Sequence, residues 1–259
     1  MQPAVSEKII YEHPLNERTR TFLRLEHLFR QTNHHLPNGD IWSSRAAIDA
    51  LLDIINIFGR ADIKADLIKE LDRHRNKLSA IKQTHGVDVE RLQQILNELE
   101  NITRQLHQIN GQVCQDLREN EFLKSIMQRS SIPGGSCAFD LPMYHFWLEQ
   151  PAELRHAKLQ EWINTLAPIQ AAISLILSLI RGSTRPTREE APKGFYQHSL
   201  DAQTPVQLIR VGLQKENGLF AEISGGKHRF SVRFLEPNDA DRPTQTQQDV
   251  TFFLNCCIL

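Results

Sequence analysis

The sequence predicts an α+β protein, a mainly α-helical domain followed by an antiparallel β-sheet domain. Three observations carry this expectation. From about residue 16 to 182, apolar residues recur at helical spacing in one segment after another. At 182–193, GSTRPTREEAPK, the composition turns polar and two prolines interrupt the chain. Beyond that point apolar residues alternate with period two between turn signals. The expected domains are 14–182, helical, and 194–259, sheet, with 183–193 as linker. A short N-terminal strand at 8–13 can join the sheet and tie both termini together.

Within Lys8–His13, the run Ile9, Ile10, Tyr11 reads as a brief strand stopped by Pro14. Asn16 suits a helix cap, and Leu15, Phe22, Leu25, Leu28 and Phe29 form one stripe with Arg18, Arg20 and Arg24 off or beside it. His34 to Asp40, with Pro37 and Gly39, is a loop. Ser43 or Ser44 is expected to cap a second helix containing Ile48, Leu51, Leu52, Ile55 and Phe58, ended by Gly59. Asp62 opens a third helix running to about Ile81, whose Lys69, Arg73, Arg75 and Lys77 read as a solvated face. His85-Gly86 is the turn out. Asp88 opens a fourth helix, where Leu92, Ile95, Leu99, Ile102, Leu106, Ile109 and Val113 alternate by three and four. Such a seam serves an antiparallel hairpin within one chain or a contact between two chains, and the sequence does not separate these.

After a short helix near Asn120–Gln128 comes RSSIPGGSCAFDLPMYHFWLEQ, residues 129–150. Its Pro-Gly-Gly turn needs backbone conformations that a Cβ disfavours. Asp140 is placed to cap a helix with Pro142 in its first turn, ending before Pro151. The run Tyr144, His145, Phe146, Trp147 is either a corner of the core or a pocket wall with His145 as its polar tip. Pro151 can start the next helix, with Leu154, Leu159 and Trp162. Pro168 can start the last, IQAAISLILSLIRG, which is apolar on nearly every side and therefore expected at the centre of the helical domain.

The expected strands are Phe195–Leu200, Val206–Gln214, Leu219–Ile223, His228–Leu235 and Val250–Cys257, with Ser224-Gly225-Gly226 joining the third and fourth as a hairpin. Asn238 to Gln248 is a longer polar loop. In His228–Leu235, Phe230, Val232 and Phe234 point to one face, and Lys227, Arg229 and Arg233 to the other. Arginines four apart on a strand are separated by roughly 13 Å, the span of a short extended peptide. That face is a solvated surface or a carboxylate-recognising one.

Net charge is −1, so no global field draws nucleic acid or acidic membrane. The start of the chain has no secretory h-region, and the apolar run Ile169–Ile180 is too short to span a bilayer. Four cysteines, none spaced CxxC, fit a reducing compartment and argue against a zinc site. These features read as a cytoplasmic protein. No HExxH, GxSxG or Walker loop is present, so neither a catalytic residue, a metal nor a cofactor is expected.

Four stretches resemble the ZapD family of bacterial cell-division proteins: EHPLNERTRTFLRLE, KELDRHRNKL, RSSIPGGSCAFDLP with HFWL, and GFYQ followed by SGGKHRFSVRF. The similarity runs from Tyr11 to Cys257. It implies a cytoplasmic, non-enzymatic homodimer with a helical domain and a β-domain, recruited to the mid-cell division ring. It implies FtsZ, the tubulin-like GTPase of that ring, as partner, held through its C-terminal tail, so that a dimer bundles filaments and stabilises the Z ring. The family's basic pocket carries over to Arg20, His145, Arg229 and Arg233. Charge and proximity add Arg129 and Lys227. Family members can carry a further arginine where Glu121 stands here, which leaves the extent of the basic patch open. The alternative is a nucleic-acid-binding protein using the same basic face, and a second rival is a small-molecule hydrolase using His145.

Overall fold

The computed structural model describes residues 7–59, 62–82, 88–201, 203–238 and 241–259. Most of its helices open on a side-chain oxygen that accepts an otherwise free N–H of the first turn. Asn16 does so for α1 (Glu17–His35), accepting from Thr19 at 2.8 Å. Asp40 serves α2 (Ile41–Phe58), Asp62 serves α3 (Ile63–Ala80) and Asp88 serves α4 (Val89–Gln108). A five-residue helix, α5 (Gln115–Glu119), follows, and then α6 (Glu121–Arg129), capped by Asn120. The remaining helices are α7 (Pro142–Leu148), α8 (Ala152–Asn164) and α9 (Ala167–Gly182).

Two caps differ from expectation. Asp40, not Ser43 or Ser44, caps α2; Ser43 supplies the N–H that Asp40 accepts at 2.9 Å. Nor does Asp140 cap α7. The cap position falls on Leu141, because Pro142 takes the first helical place, and Asp140 pairs instead with Arg129 at 3.6 Å. The His85-Gly86 turn lies outside the described residues.

Backbone packing divides the chain into two units, Met1–Thr21 with Leu177–Leu259, and Phe22–Ile176. In the second unit, Phe22, Leu25, Ile48, Leu51, Ile55, Leu67, Leu71, Ile169 and Ile173 are sealed from solvent, each buried side chain contributing about 1.5–3 kcal/mol. The repeat in α4 is used here. Leu92, Leu99, Ile102 and Leu106 are buried, and α4 packs along α3 as a hairpin within the chain. The helix stops at Gln108, so Ile109 and Val113 lie beyond the seam. In α9, Ser174 and Ser178 reach solvent while its apolar residues face inward.

Two polar side chains of α3, Glu70 and His74, are buried rather than on its solvated face. His74 is fully buried, with neither ring nitrogen hydrogen-bonded among the described residues and Glu70 Oε2 3.7 Å from Nε2. Burial, then the charge of Arg73, pushes its pKa down to about 4 from 6.5; Glu70 opposes and Lys77 adds. The unfolded chain therefore takes up this proton first. Stability is full above about pH 6.5 and falls as the pH drops toward 4, by about 3 kcal/mol from this group. His74→Leu should remove that component of acid sensitivity, seen as a flatter dependence of urea-unfolding stability on pH than in the unaltered chain.

The first unit is two antiparallel sheets face to face. Its strands are β1 (Lys8–Pro14), β2 (Thr187–Ala191), β3 (Phe195–Ser199), β4 (Leu208–Gln214), β5 (Phe220–Gly225), β6 (Arg229–Glu236), β7 (Thr244–Gln245) and β8 (Val250–Cys257). One sheet has the order β1-β4-β8-β2; the other is β3-β6-β5, with β7 on β6. The N-terminal strand does join, pairing with β4. The polar 183–193 stretch contains β2, which pairs with β8 as an edge strand; an edge tolerates charged side chains, and this hid it from the period-two reading. Ile209, Val211, Phe252 and Leu254 of one sheet meet Phe230, Val232 and Phe234 of the other, with the Phe234 and Phe252 rings 5.0 Å apart. On the outer side of β4, Glu12 accepts from Arg181 and Arg210 at 2.8 Å each. Burial alone would raise the pKa of Glu12, but these two guanidiniums hold it below the usual carboxylate range.

Candidate functional site

The outward face of the β3-β6-β5 sheet is built by register. Residues directly opposite share a face, so Arg233 of β6 stands between Phe195 of β3 and Glu222 of β5, Ser231 between Gln197 and Ser224, and Arg229 beside Ser199. The inward set Phe230, Val232, Phe234 is buried, which fixes the arginines outward. A cleft of about 450 Å³ lies at the hairpin end, lined by residues that include Gln197, Ser224, Lys227, Arg229 and Ser231.

The cations of this face are not equivalent. Arg233 donates to Glu222, with both side chains about half exposed. An exposed pair of this kind is worth roughly 0–1 kcal/mol, so an incoming carboxylate can displace it. Arg229 and Lys227 are exposed and make no ion pair among the described residues. The sequence treated Arg229 and Arg233 alike; cross-strand Glu222 is what separates them.

Arg20 belongs to the same unit and is positioned by the start of α1. The Leu15 N–H donates to the Gln207 carbonyl at 2.9 Å, and the Asn16 side chain donates to Gln207 Oε1 at 3.3 Å. Leu15 also packs on the hairpin so closely that a Cβ at Gly225 would sit 2.9 Å from its Cδ2. This fixes the first turn of α1 beside the β5–β6 turn. Arg20 there lies 3.3 Å from Glu17. Its charge reaches His13, whose pKa is lowered by burial first and by Arg20 second, against a hydrogen bond with the Gly225 backbone.

Arg129 and His145 belong to the helical unit. Arg129 ends α6 and pairs with Asp140; His145, on α7, lies 3.9 Å from Glu149. The Gly-Gly turn between them is required sterically, since a Cβ on Gly135 would stand 2.5 Å from the Arg129 carbonyl oxygen. The aromatic run is in part a corner of the core. Tyr144 and Trp147 turn inward and pack with Phe122 and Trp162 at ring separations of 5.6–6.4 Å. Phe139, Met143 and Phe146 face solvent.

The sheet face and its hairpin turn thus offer two cations unpaired among the described residues, a third in a weak exposed pair, amide and hydroxyl groups from Gln197, Ser224 and Ser231, and the half-exposed ring of Phe195. Extended chain carrying carboxylate and apolar side chains suits such a surface. Gln197, Ser231, Phe195 and Glu222 were not singled out from sequence, because only register reveals them. Among the described residues no cluster of His, Cys, Asp or Glu could hold a metal ion, and no single helix is long and apolar enough to cross a membrane.

The chain matches the family model described as "ZapD: Cell division protein" over residues 23–233. It is 43% identical over 255 residues to the "Cell division protein ZapD" of Methylococcus capsulatus, covering 98% of this chain and 100% of the relative. It is 39% identical over 255 residues to that of Coxiella burnetii, covering 98% and 99%. To the same-named protein of Azoarcus sp. it is 38% identical over 251 residues, covering 97% and 100%.

Proposed function

The chain belongs to the ZapD family of cell-division proteins, and from that membership we propose that it binds the C-terminal tail of FtsZ and, as a homodimer, cross-links FtsZ filaments and stabilises the Z ring. It acts without catalysis, in the cytoplasm, recruited to mid-cell. The observation that carries this reading is the outward face of β6. Arg229 there, and Lys227 in the turn before it, are exposed and make no ion pair among the described residues, Arg233 is held only by an exposed pair, and Phe195 stands beside it. Arg20 lies at the neighbouring turn. His145 and Arg129, on the helical unit, are the other residues that the family resemblance and charge nominate. One tail contact of this size is weak; two in a dimer gain through effective concentration, because the second tail binds nearly intramolecularly. The nucleic-acid alternative is less favoured, since Glu222 stands among the cations and the chain carries a net charge of −1.

The affinity of a fluorescent FtsZ tail peptide should fall with salt and then level off, measured by anisotropy from about 50 to 500 mM. Rim arginines are screened within roughly 8–10 Å at physiological ionic strength, whereas the Phe195 contact is not. A straight log–log decline with no plateau would mean that charge alone holds the peptide.

A further inference from the structure

A sheet edge presents backbone N–H and C=O groups that can take up another strand, and proteins blunt it with charge, proline, shortness or cover. The edges of the two sheets differ in this respect. β1 carries Lys8, Glu12 and Pro14, and β2 carries Arg188, Glu189 and Glu190. β7 is two residues long. β5 is covered at its end, where Leu15 packs on Gly225 and the Gly225 backbone is hydrogen-bonded to His13. β3 has none of these devices. It contains no proline, lysine, arginine, aspartate or glutamate, and among the described residues it pairs with β6 alone.

The direction of its backbone groups follows from the ladder. The Leu200 N–H donates to the His228 carbonyl at 2.8 Å, one pair beyond Ser199 opposite Arg229. On β6, the Phe234 carbonyl accepts from Thr246 at 3.1 Å, and the Arg229 carbonyl accepts from Gly226 on the β5 side at 3.0 Å. Alternation along β6 therefore turns the backbone of Phe230 and Val232 toward His198 and Tyr196 of β3. Gln197 and Ser199 then turn their N–H and C=O to the open edge, and Phe195 its carbonyl, since the Phe195 N–H donates to Pro192. No hydrogen bond to these outward groups occurs among the described residues. The side chains of Phe195, Gln197 and Ser199 are exposed.

We propose that the partner peptide docks as an added strand on the open edge of β3, its backbone bonded to Gln197, Ser199 and the Phe195 carbonyl. This rests on the tail-binding reading above and names the class of peptide taken, an extended acidic segment with free backbone amides at every second residue. Charge argues for that occupant. Residues of the added strand opposite Phe195 and Ser199 stand in line with Arg233 and Arg229, because the register of β3 on β6 sets those pairs. The separation is two strand spacings, roughly 10 Å, within about one Debye length. Carboxylates four residues apart on one face of the peptide are thus drawn into register, while the main chain holds it.

The test is anisotropy of a fluorescent FtsZ tail peptide and of versions of it N-methylated at one backbone amide at a time. Methylation removes one donor, so affinity for the unaltered chain should fall at least about 10-fold at alternate residues and by less than about 2-fold at those between. On the protein, Gln197→Pro removes an edge donor, and proline is tolerated on an edge where the N–H faces solvent. Gln197→Pro should melt as the unaltered chain does and bind the peptide at least about 10-fold more weakly than Gln197→Ala, which keeps the donor. Methylation losses without period two overturn the proposal, and so does a folded Gln197→Pro that binds as Gln197→Ala does. If Gln197→Pro fails to fold, the methylation series decides alone. No binding of the unmodified peptide to the unaltered chain overturns the tail-binding reading itself, a distinguishable outcome.

Discussion

Arg155→Met is expected to cost about 3 kcal/mol and to lower the melting temperature by about 10 °C. Arg155, on α8, is buried and forms no ion pair among the described residues. Its guanidinium instead donates to Ser44 Oγ at 3.1 Å, to the Leu148 carbonyl at 3.0 Å, and to the carbonyls of Gln150 and Gly39. One side chain therefore fastens the start of α2, the turn before it and the end of α7. The carbonyls at the end of α7 carry the negative pole of that helix and partly offset the buried charge. Methionine keeps the apolar stem and removes the head, leaving those acceptors unpaired inside the protein. Thermal unfolding followed by circular dichroism measures the loss. A melting point unchanged within a degree or so would mean that the carbonyls find other donors at little cost.

Arg229→Glu combined with Arg233→Glu should abolish FtsZ bundling while leaving the fold intact. Both side chains leave the sheet on the solvent side, and the packed residues Phe230, Val232 and Phe234 are untouched. The exchange brings Glu222 against a new carboxylate, an exposed contact worth about 1 kcal/mol at most. Reversing two charges on a peptide-binding face costs far more in association, since each attraction becomes a repulsion. Arg229→Glu alone should account for most of the loss, because Arg233 must first leave Glu222 before it can serve a ligand. Native circular dichroism with no bundling is the expected result; normal bundling by the double variant would move the binding surface elsewhere.

Much of the framework was readable in advance because it rests on local chemistry. Asn16, Asp62 and Asp88 cap the helices they were expected to open, and Phe230, Val232 and Phe234 alternate into the core as their period requires. What escaped depends on partners distant in sequence. β2 is polar because it is an edge, so no periodicity marks it. His74 and Arg155 look like surface residues of charged helices, and only the packing around them shows that they are buried. Within the candidate site, Arg20 and Arg229 could be named from their motifs. Glu222 and Phe195 could not, because their place beside Arg233 is set by strand register. Of the aromatic run, Tyr144 and Trp147 pack inward, as the core-corner reading expects, while Phe146 faces solvent.

The claim that the chain cross-links filaments by holding FtsZ tails is tested most directly by co-sedimentation with polymerised FtsZ, with and without its C-terminal tail. At low centrifugal force, where bundles pellet and single filaments do not, the unaltered chain should bring intact FtsZ into the pellet and should itself be found there. With tail-less FtsZ both proteins should stay in the supernatant. Equal pelleting of tail-less and intact FtsZ would contradict the account, because the outward face of β6 would then have no tail to hold.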